Sequence, residues 1–312
     1  MMNITLRQLR YFDALARHGH FGRAADDCAI SQPALSMQIK ELEESVGVPL
    51  FERGGRRLRM TAFGELFAER ARDILRGMDE LHDLARTARV HLTGRLRIGI
   101  IPTIAPYLLP GIIAKLTARF PYLELGLREA VTTRLLDELR EGQLDAVILA
   151  LPISDPGLTE VPLFAERFVL VRPDSDRDKP VPSRDKLHEM RLLLLEEGHC
   201  FRDQALSFCN MRPARPRELL DGSSLSTLVQ MVGAGIGVTL IPEMAVPVET
   251  HSAPVSVARF PDPQPARTIG LIWRKTNPLA GRLAELAEVV REAAEAQGLT
   301  ARGPVPVPAD TP

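Results

Sequence analysis

From Ala62 to about Val90 the chain carries no proline, and Phe67, Ala71, Ile74, Met78, Leu81, Ala85 and Ala88 recur in alternating steps of four and three. That spacing is the seam of a long helix, and about 29 residues at roughly 1.5 Å each reach roughly 43 Å. A rod of that length does not fold into one core, so the residues on either side need cores of their own. A chain of 312 residues suits two or three domains. The seam predicts pairing with a second copy, which makes residues 62–93 a linker and dimerisation helix. The competing reading is a lone helix packed on its own domain.

Upstream of the rod, residues 1–61 predict short helices. Thr5 introduces LRQLRYFDALARHG, whose Leu6, Leu9, Phe12, Leu15 and Ala16 share a face, and Gly19 follows its end. FGRAADDC, Phe21 to Cys28, is a second short helix with small Ala24 and Ala25 where helices must approach. After a tight turn Ser31 caps a third helix running to Val46, with Pro33 tolerated in its first turn. Leu35, Ile39, Leu42 and Val46 form its inward stripe, and Gln32, Ser36, Met37 and Lys40 lie opposite. This is a helix-turn-helix arrangement. VPLFERGGRRLRMT then predicts strand, Gly-Gly turn and strand, a wing with Arg53, Arg56, Arg57 and Arg59 at its tip. Nine basic against seven acidic residues in 1–61 leave a small excess, so the clustering matters more than the sum.

Downstream, RLRIGIIP, LELGLREA, DAVILAL, RFVLVRP, RLLLLEE, GVTLIP and TIGLIWR predict strands separated by helical stretches. The fold class is therefore α+β multidomain: a winged helix-turn-helix, a long linker helix and a two-subdomain α/β effector domain. Residues 94–165 and 267–300 are expected to form subdomain I around a parallel core, and 166–266 subdomain II. The tail 301–312 has no periodicity and is expected to be disordered. With 45% hydrophobic and 25% charged residues, disordered and membrane classes are excluded for the chain as a whole. No run approaches the roughly 18 apolar residues of a membrane span, and a cytoplasmic location is expected. A net charge of −1 gives no global sign of nucleic acid, so a DNA contact has to come from local placement.

The text LRQLRYFDALARHGHFGRAADDCAISQPALSMQIKELEESVGVPLFER resembles the LysR-type transcriptional regulators, in the AA of the second helix, SQPALSMQI, the following LE and G-x-x-LFER. The resemblance continues over nearly the whole chain. It implies a winged helix-turn-helix, a linker helix, an effector domain like a periplasmic binding protein, and a homotetramer built as a dimer of dimers. Promoter DNA is then the partner, with RNA polymerase beside it. Gln32 can bond adenine bidentately, and Ser36 and Pro33 suit adjacent base or backbone contact. Ser31 at the helix N-terminus favours a phosphate, and Lys40 with Arg53 and Arg56 or Arg57 suits the backbone. For Lys40 or any one arginine the competing reading is a solvated surface charge.

Three cysteines cannot be a disulfide framework in such a chain, so any disulfide here is transient and functional. Cys28 ends a short helix beside apolar residues and is read as packing. Cys200 differs: it follows His199, precedes Arg202 by two positions and sits nine residues before Cys209. Polar or cationic neighbours are what a reactive thiolate needs. LLLLEEGHCFRDQALSFC, IPTIAPYLLP and PARTIGLIWR resemble the OxyR group of peroxide sensors within the LysR family. That resemblance implies hydrogen peroxide as the signal, Cys200 as peroxidatic and Cys209 as resolving cysteine, and reset by a thiol reductant such as glutaredoxin. It also implies thiolate stabilisation by His199 and Arg267, with Arg202 an open alternative to Arg267, and peroxide contact by Thr103 and Thr132. The other reading of each threonine is helix capping. No cofactor is implied. Three further functions stay open: a regulator answering a small molecule near Thr103, Thr132 and the SSLST segment at 223–227, a thiol peroxidase, and a zinc site from His199, Cys200 and Cys209.

Overall fold

The structure, a computed structural model, describes residues 4–52, 58–87, 94–187, 189–209 and 221–299. It divides into two compact units, residues 1–85 and 86–312. In the first, α1 (Leu6–His18) begins with a capping box: Thr5 Oγ accepts from the Gln8 amide, and Gln8 Oε1 accepts from the Thr5 amide at 3.0 Å. The second helix, α2 (Phe21–Asp27), is capped by the ring of His20, whose Nδ1 accepts from the Gly22 amide at 3.0 Å. In α3 (Gln32–Val46), Ser31 Oγ accepts from Ala34, and Gly47 closes the helix in the left-handed region. Leu9, Phe12, Leu15, Leu35, Ile39 and Leu42 converge on one core, and Ala24 and Ala25 are fully enclosed at the helix crossing.

The long helix, α4, spans Ala62–Thr87. Its seam is not used as the repeat alone predicts. Phe67 stacks edge-on against Phe12 with centroids 5.1 Å apart, and Ala68 and Ala71 are buried in the same core. Phe63, Leu66, Ile74 and Leu81 stay exposed. The first two seam positions therefore serve the unit's own core, while Ile74 and Leu81 keep the outward-facing role. Ala85 lies outside the described side chains, and Ala88, like 89–93, lies outside the described residues. The approach of α4 to the wing leaves no room at Gly64, where a Cβ would fall 2.1 Å from the Leu50 carbonyl oxygen.

The second unit opens with β1 (Gly94–Ile100), α5 (Ala105–Arg119), β2 (Leu123–Glu129), α6 (Thr132–Arg140) and β3 (Ala146–Leu151). β1 pairs parallel with both β2 and β3, the expected parallel core. The chain then leaves along β4 (Leu158–Pro173), a single 16-residue strand. Beyond it lie α7 (Arg184–Leu187), β5 (Leu192–Leu195), α8 (Cys200–Phe208), β6 (Asp221–Gly222), α9 (Leu225–Gly233), β7 (Val238–Pro242), α10 (Val246–Glu249) and β8 (Val255–Ala258). β5 pairs parallel with β6 and β7, while β4 is antiparallel to β7 and β8. The chain returns along β9 (Ala266–Arg274), antiparallel to β3 and β4, and ends in α11 (Ala280–Glu295).

Two subdomains thus share one sheet path, β2-β1-β3-β9-β4-β7-β5-β6, and one continuous apolar core. The sequence places a subdomain boundary at 165/166 and 266/267, which falls inside β4 and β9 rather than in loops. The first half of β4 escapes a propensity reading because Pro162 and a register shift between Pro162 and Phe164 interrupt its pattern. Among the described residues no helix is long and apolar enough to cross a membrane.

One carboxylate fastens the wing to the third helix: Glu43 Oε1 accepts from the amides of Leu50 at 2.7 Å and Phe51 at 3.1 Å. Glu43→Ala leaves both amides without that acceptor, and a loss of about 1–3 kcal/mol is expected in chemical unfolding of the first unit. Surface Glu41→Ala, as a control, is expected to leave the unfolding midpoint nearly unchanged.

Candidate functional site

On the first unit, burial of Leu35, Ile39 and Leu42 turns the opposite face of α3 to solvent, and Ser31, Gln32, Pro33, Ser36, Met37 and Lys40 are exposed along it. Their side chains point away from the core, as major-groove reading requires. Lys40 Nζ lies 3.7 Å from Glu44 across one exposed turn, a contact too weak to withhold it from a phosphate. Arg53, Arg56 and Arg57 fall outside the described residues. Cys28 packs partly against the core, and burial with Asp27 beside it pushes its thiol up, which keeps it protonated.

In the second unit β1, β2 and β5 run parallel to their neighbours, and chain leaving their carboxyl ends forms a crevice, the place where open α/β sheets bind ligands. A tight pocket lies there, lined by Thr103 after β1, Val131 and Thr132 after β2, and His199, Cys200 and Phe201 after β5. Thr132 is the first residue of α6 and Cys200 the first of α8. Two helix N-termini therefore aim partial positive charge at one small space, which favours an anion formed there.

The threonines are not helix caps. Val131 is the N-cap residue of α6 and Ile104 that of α5, neither with a side-chain capping bond. Thr132 Oγ is buried without a hydrogen-bond partner. Thr103 Oγ accepts from Arg267 Nη1 at 2.9 Å, which leaves its own proton to donate. Arg267 also gives Nη2 to the Thr103 carbonyl at 3.2 Å and Nε to Glu166 Oε2 at 2.7 Å, and its guanidinium lies 5.1 Å from the Phe201 ring centroid. Its charge thus reaches the pocket through two lining residues. Arg202, the alternative, is turned to the Leu195 carbonyl at 2.6 Å. Burial pushes the Glu166 carboxyl up against the pull of Arg267.

His199 behaves differently from a cationic neighbour. Burial lowers its pKa, against a smaller upward pull from Glu196, so the ring is neutral near pH 7 and acts as a dipole and wall. Cys209 is the C-cap residue of α8 and fully buried. Nine helical steps separate the cysteines, roughly 13 Å along the axis, whereas a disulfide needs Cα atoms within about 7 Å. All three cysteines are accordingly free thiols. The zinc alternative fails on the same geometry: among the described residues no group of three His, Cys, Asp or Glu side chains could hold a metal. In the 223–227 segment Ser224 caps α9 and meets the Thr227 hydroxyl, and Ser226 donates to Glu249, so these three hydroxyls have protein partners. Sequence reasoning did not single out Glu166, Phe201, Tyr107 or Glu249; each is an ordinary residue in its local run and gains meaning only from its distant neighbour.

A DNA-reading helix on one unit and a ligand crevice on the other define a DNA-binding regulator. Residues 6–65 match the model of bacterial regulatory helix-turn-helix proteins of the lysR family, and 89–295 match the LysR substrate binding domain. The chain is 45% identical over 292 residues to the DNA-binding transcriptional dual regulator OxyR of Escherichia coli K12, covering 92% of this chain and 95% of that protein. Among solved structures, a full-length OxyR variant from Pseudomonas aeruginosa matches with TM-score 0.74 and 36% identity over 97% of this chain and all of the other. A hydrogen-peroxide-bound OxyR variant from Corynebacterium glutamicum matches with TM-score 0.64 and 34% identity over 98% of this chain and all of the other. The chain belongs to the LysR family of transcription regulators, in its OxyR group. That family consists of regulators and not enzymes, which removes the peroxidase reading.

Arg267→Ala strands the fully buried Glu166 carboxylate, and a loss of about 3–5 kcal/mol is expected in chemical denaturation at neutral pH. The double variant Glu166→Gln with Arg267→Met is expected to lose less than Arg267→Ala alone. His199 carries a second expectation. Its folded pKa lies below the unfolded one, so the unfolded chain binds the extra proton first and stability falls as pH drops below about 6.5. His199→Gln should flatten that part of the stability curve from pH 7 to 5.

Proposed function

We propose that the protein is a hydrogen-peroxide-sensing DNA-binding transcription regulator switched by a reversible Cys200–Cys209 disulfide. The observation that carries this reading is the unpartnered buried hydroxyl of Thr132 in the same small pocket as Cys200. A peroxide is the ligand class that supplies both an acceptor for that hydroxyl and an electrophilic oxygen for a thiolate. The relatives carry names such as hydrogen peroxide-inducible genes activator, which supports the same reading.

The Cys200 thiolate attacks one peroxide oxygen, the O–O bond breaks, and hydroxide leaves to be protonated to water. Thr103, Thr132 and the two helix N-termini face the charge that develops. Cys200 is left as sulfenic acid. The Cys209 thiol then attacks that sulfur, the S–S bond forms and a second water departs, so two thiols supply the two electrons. For the sulfurs to meet, α8 has to unwind, withdrawing Phe201, Leu206 and Cys209 from their buried sites. Exposing even two of these side chains costs on the order of 4 kcal/mol. Such a cost raises the disulfide potential by about 90 mV over an unstrained structural disulfide, towards values a glutathione-linked reductant can reset. Refolding of α8 is the two-state element.

Promoter DNA is the proposed target, read by Gln32 and Ser36 and held through Ser31, Pro33, Lys40, Arg53, Arg56 and Arg57. The working assembly is a cytoplasmic homotetramer, a dimer of dimers paired partly through α4, with RNA polymerase as partner and glutaredoxin as reductant. Mass mapping of thiols after one equivalent of peroxide tests the mechanism. A Cys200–Cys209 disulfide with Cys28 unmodified is expected, and Cys200→Ser should abolish peroxide-dependent transcription. Unreacted Cys200 and Cys209 would sink the proposal, and a Cys200→Ser protein that still answers a small-molecule inducer would support the effector-cleft reading instead.

A further inference from the structure

The pocket at Cys200 has walls from both subdomains, Thr103 and Thr132 from subdomain I and His199, Cys200 and Phe201 from subdomain II. Its size therefore depends on how far the subdomains close. Away from the hinge strands, a polar bridge among the described residues joins them. The Tyr107 hydroxyl, on α5 of subdomain I, donates to Glu249 Oε1 at 2.6 Å, and Ser226 Oγ, on α9 of subdomain II, donates to Glu249 Oε2 at 2.5 Å. Tyr107 and Glu249 are both buried. Burial and the neighbouring Glu249 push the Tyr107 phenol up, so it keeps the proton it donates.

The arrangement is directional. Ser226 holds one carboxylate oxygen from its own subdomain, which presents the other to Tyr107. The Tyr107 backbone is held from behind, since its carbonyl accepts from Gln297 Nε2 at 2.8 Å. Hydroxyl-to-carboxylate bonds of this length belong to the strong, charge-assisted class. Tyr107 lies in the first turn of α5, four residues after Thr103, so a shift of that helix moves the pocket wall with it.

We propose that Tyr107, Glu249 and Ser226 form a clasp that sets subdomain closure and so selects the oxidant at Cys200 by size. The three are positioning residues, acting through Thr103 and the pocket walls. The inference rests on the reading of Cys200 as the peroxide-reactive thiol. The pocket is too tight for a water-sized sphere, so hydrogen peroxide enters with a small movement of its walls and a branched alkyl hydroperoxide needs a larger one. With the clasp open, hydrogen peroxide loses its close-fitting walls while a bulky hydroperoxide gains space.

The test uses the full-length protein and Tyr107→Phe, Ser226→Ala and Glu249→Gln, with rate constants for Cys200 oxidation by hydrogen peroxide and by tert-butyl hydroperoxide. Alkylation by iodoacetamide reports thiolate availability alone. Tyr107→Phe, which keeps the ring, is expected to slow hydrogen peroxide about tenfold. Its tert-butyl hydroperoxide and iodoacetamide rates should stay within about twofold of wild type, so the preference for the small oxidant narrows. Ser226→Ala should shift the preference the same way by less, and Glu249→Gln, which keeps one acceptor, should fall between them. If wild type prefers hydrogen peroxide and neither Tyr107→Phe nor Ser226→Ala changes that preference, the clasp is wrong, even if both oxidants slow in parallel. If wild-type Cys200 does not react with hydrogen peroxide faster than an ordinary thiol, the peroxide-sensor reading fails, and the clasp's role in selection with it.

Discussion

The Glu166–Arg267 ion pair is the interaction around which the sensing unit is organised. The two residues face each other on β4 and β9, the strands that carry the chain from one subdomain to the other and back. Both side chains are almost fully withdrawn from water. A buried pair of this kind is weak evidence for stability, because desolvation offsets much of the attraction. Its value lies in placement: Glu166 holds Arg267 in one orientation, and Arg267 uses its remaining donors on Thr103. A hinge that would otherwise be only two paired strands thereby carries a positive charge to the wall of the cysteine pocket.

Around that hinge the pocket takes its chemistry from backbone as much as from side chains. Parallel strands deliver their connections to one crevice, and two of the helices that follow begin there. Cys200 gains partial positive charge from starting α8, not from the imidazole beside it in sequence, since burial keeps His199 neutral. The same helix holds Cys209 at its far end and buries it. One element thus begins at the first cysteine and keeps the second out of its reach, so the folded geometry and a Cys200–Cys209 disulfide exclude each other.

The DNA-binding unit follows a simpler rule. Its three short helices bury Leu35, Ile39 and Leu42 on one side of α3 and so expose Gln32, Ser36 and Lys40 on the other. Glu43, from the same helix, fastens the start of the wing through two amides. Packing, capping and presentation of the reading face are here parts of one pattern with a period near 3.6 residues.

That difference explains what could be read without coordinates. Capping by Thr5 and Ser31, the stripe of α3, the length of α4 and the parallel strands are local, and local periodicity and turn chemistry make them legible. The motif around Cys200 was legible too, as were Thr103, Thr132 and Arg267 through the resemblance. Hidden in the sequence were the unbroken passage of β4 through Pro162, the use of Phe67 and Ala71 by their own core, the neutrality of His199, and the pairings of Glu166 with Arg267 and Tyr107 with Glu249. The last two join residues 101 and 142 positions apart. By itself the sequence determined the order of the DNA-binding and effector regions, the apolar stripe of α3 and the polar setting of Cys200, because each is written in neighbouring residues. Only the tertiary structure decided which arginine contacts Thr103, how far apart the cysteines stand and which residues bridge the subdomains, because burial and long-range contact set charge and distance, and no local pattern encodes them.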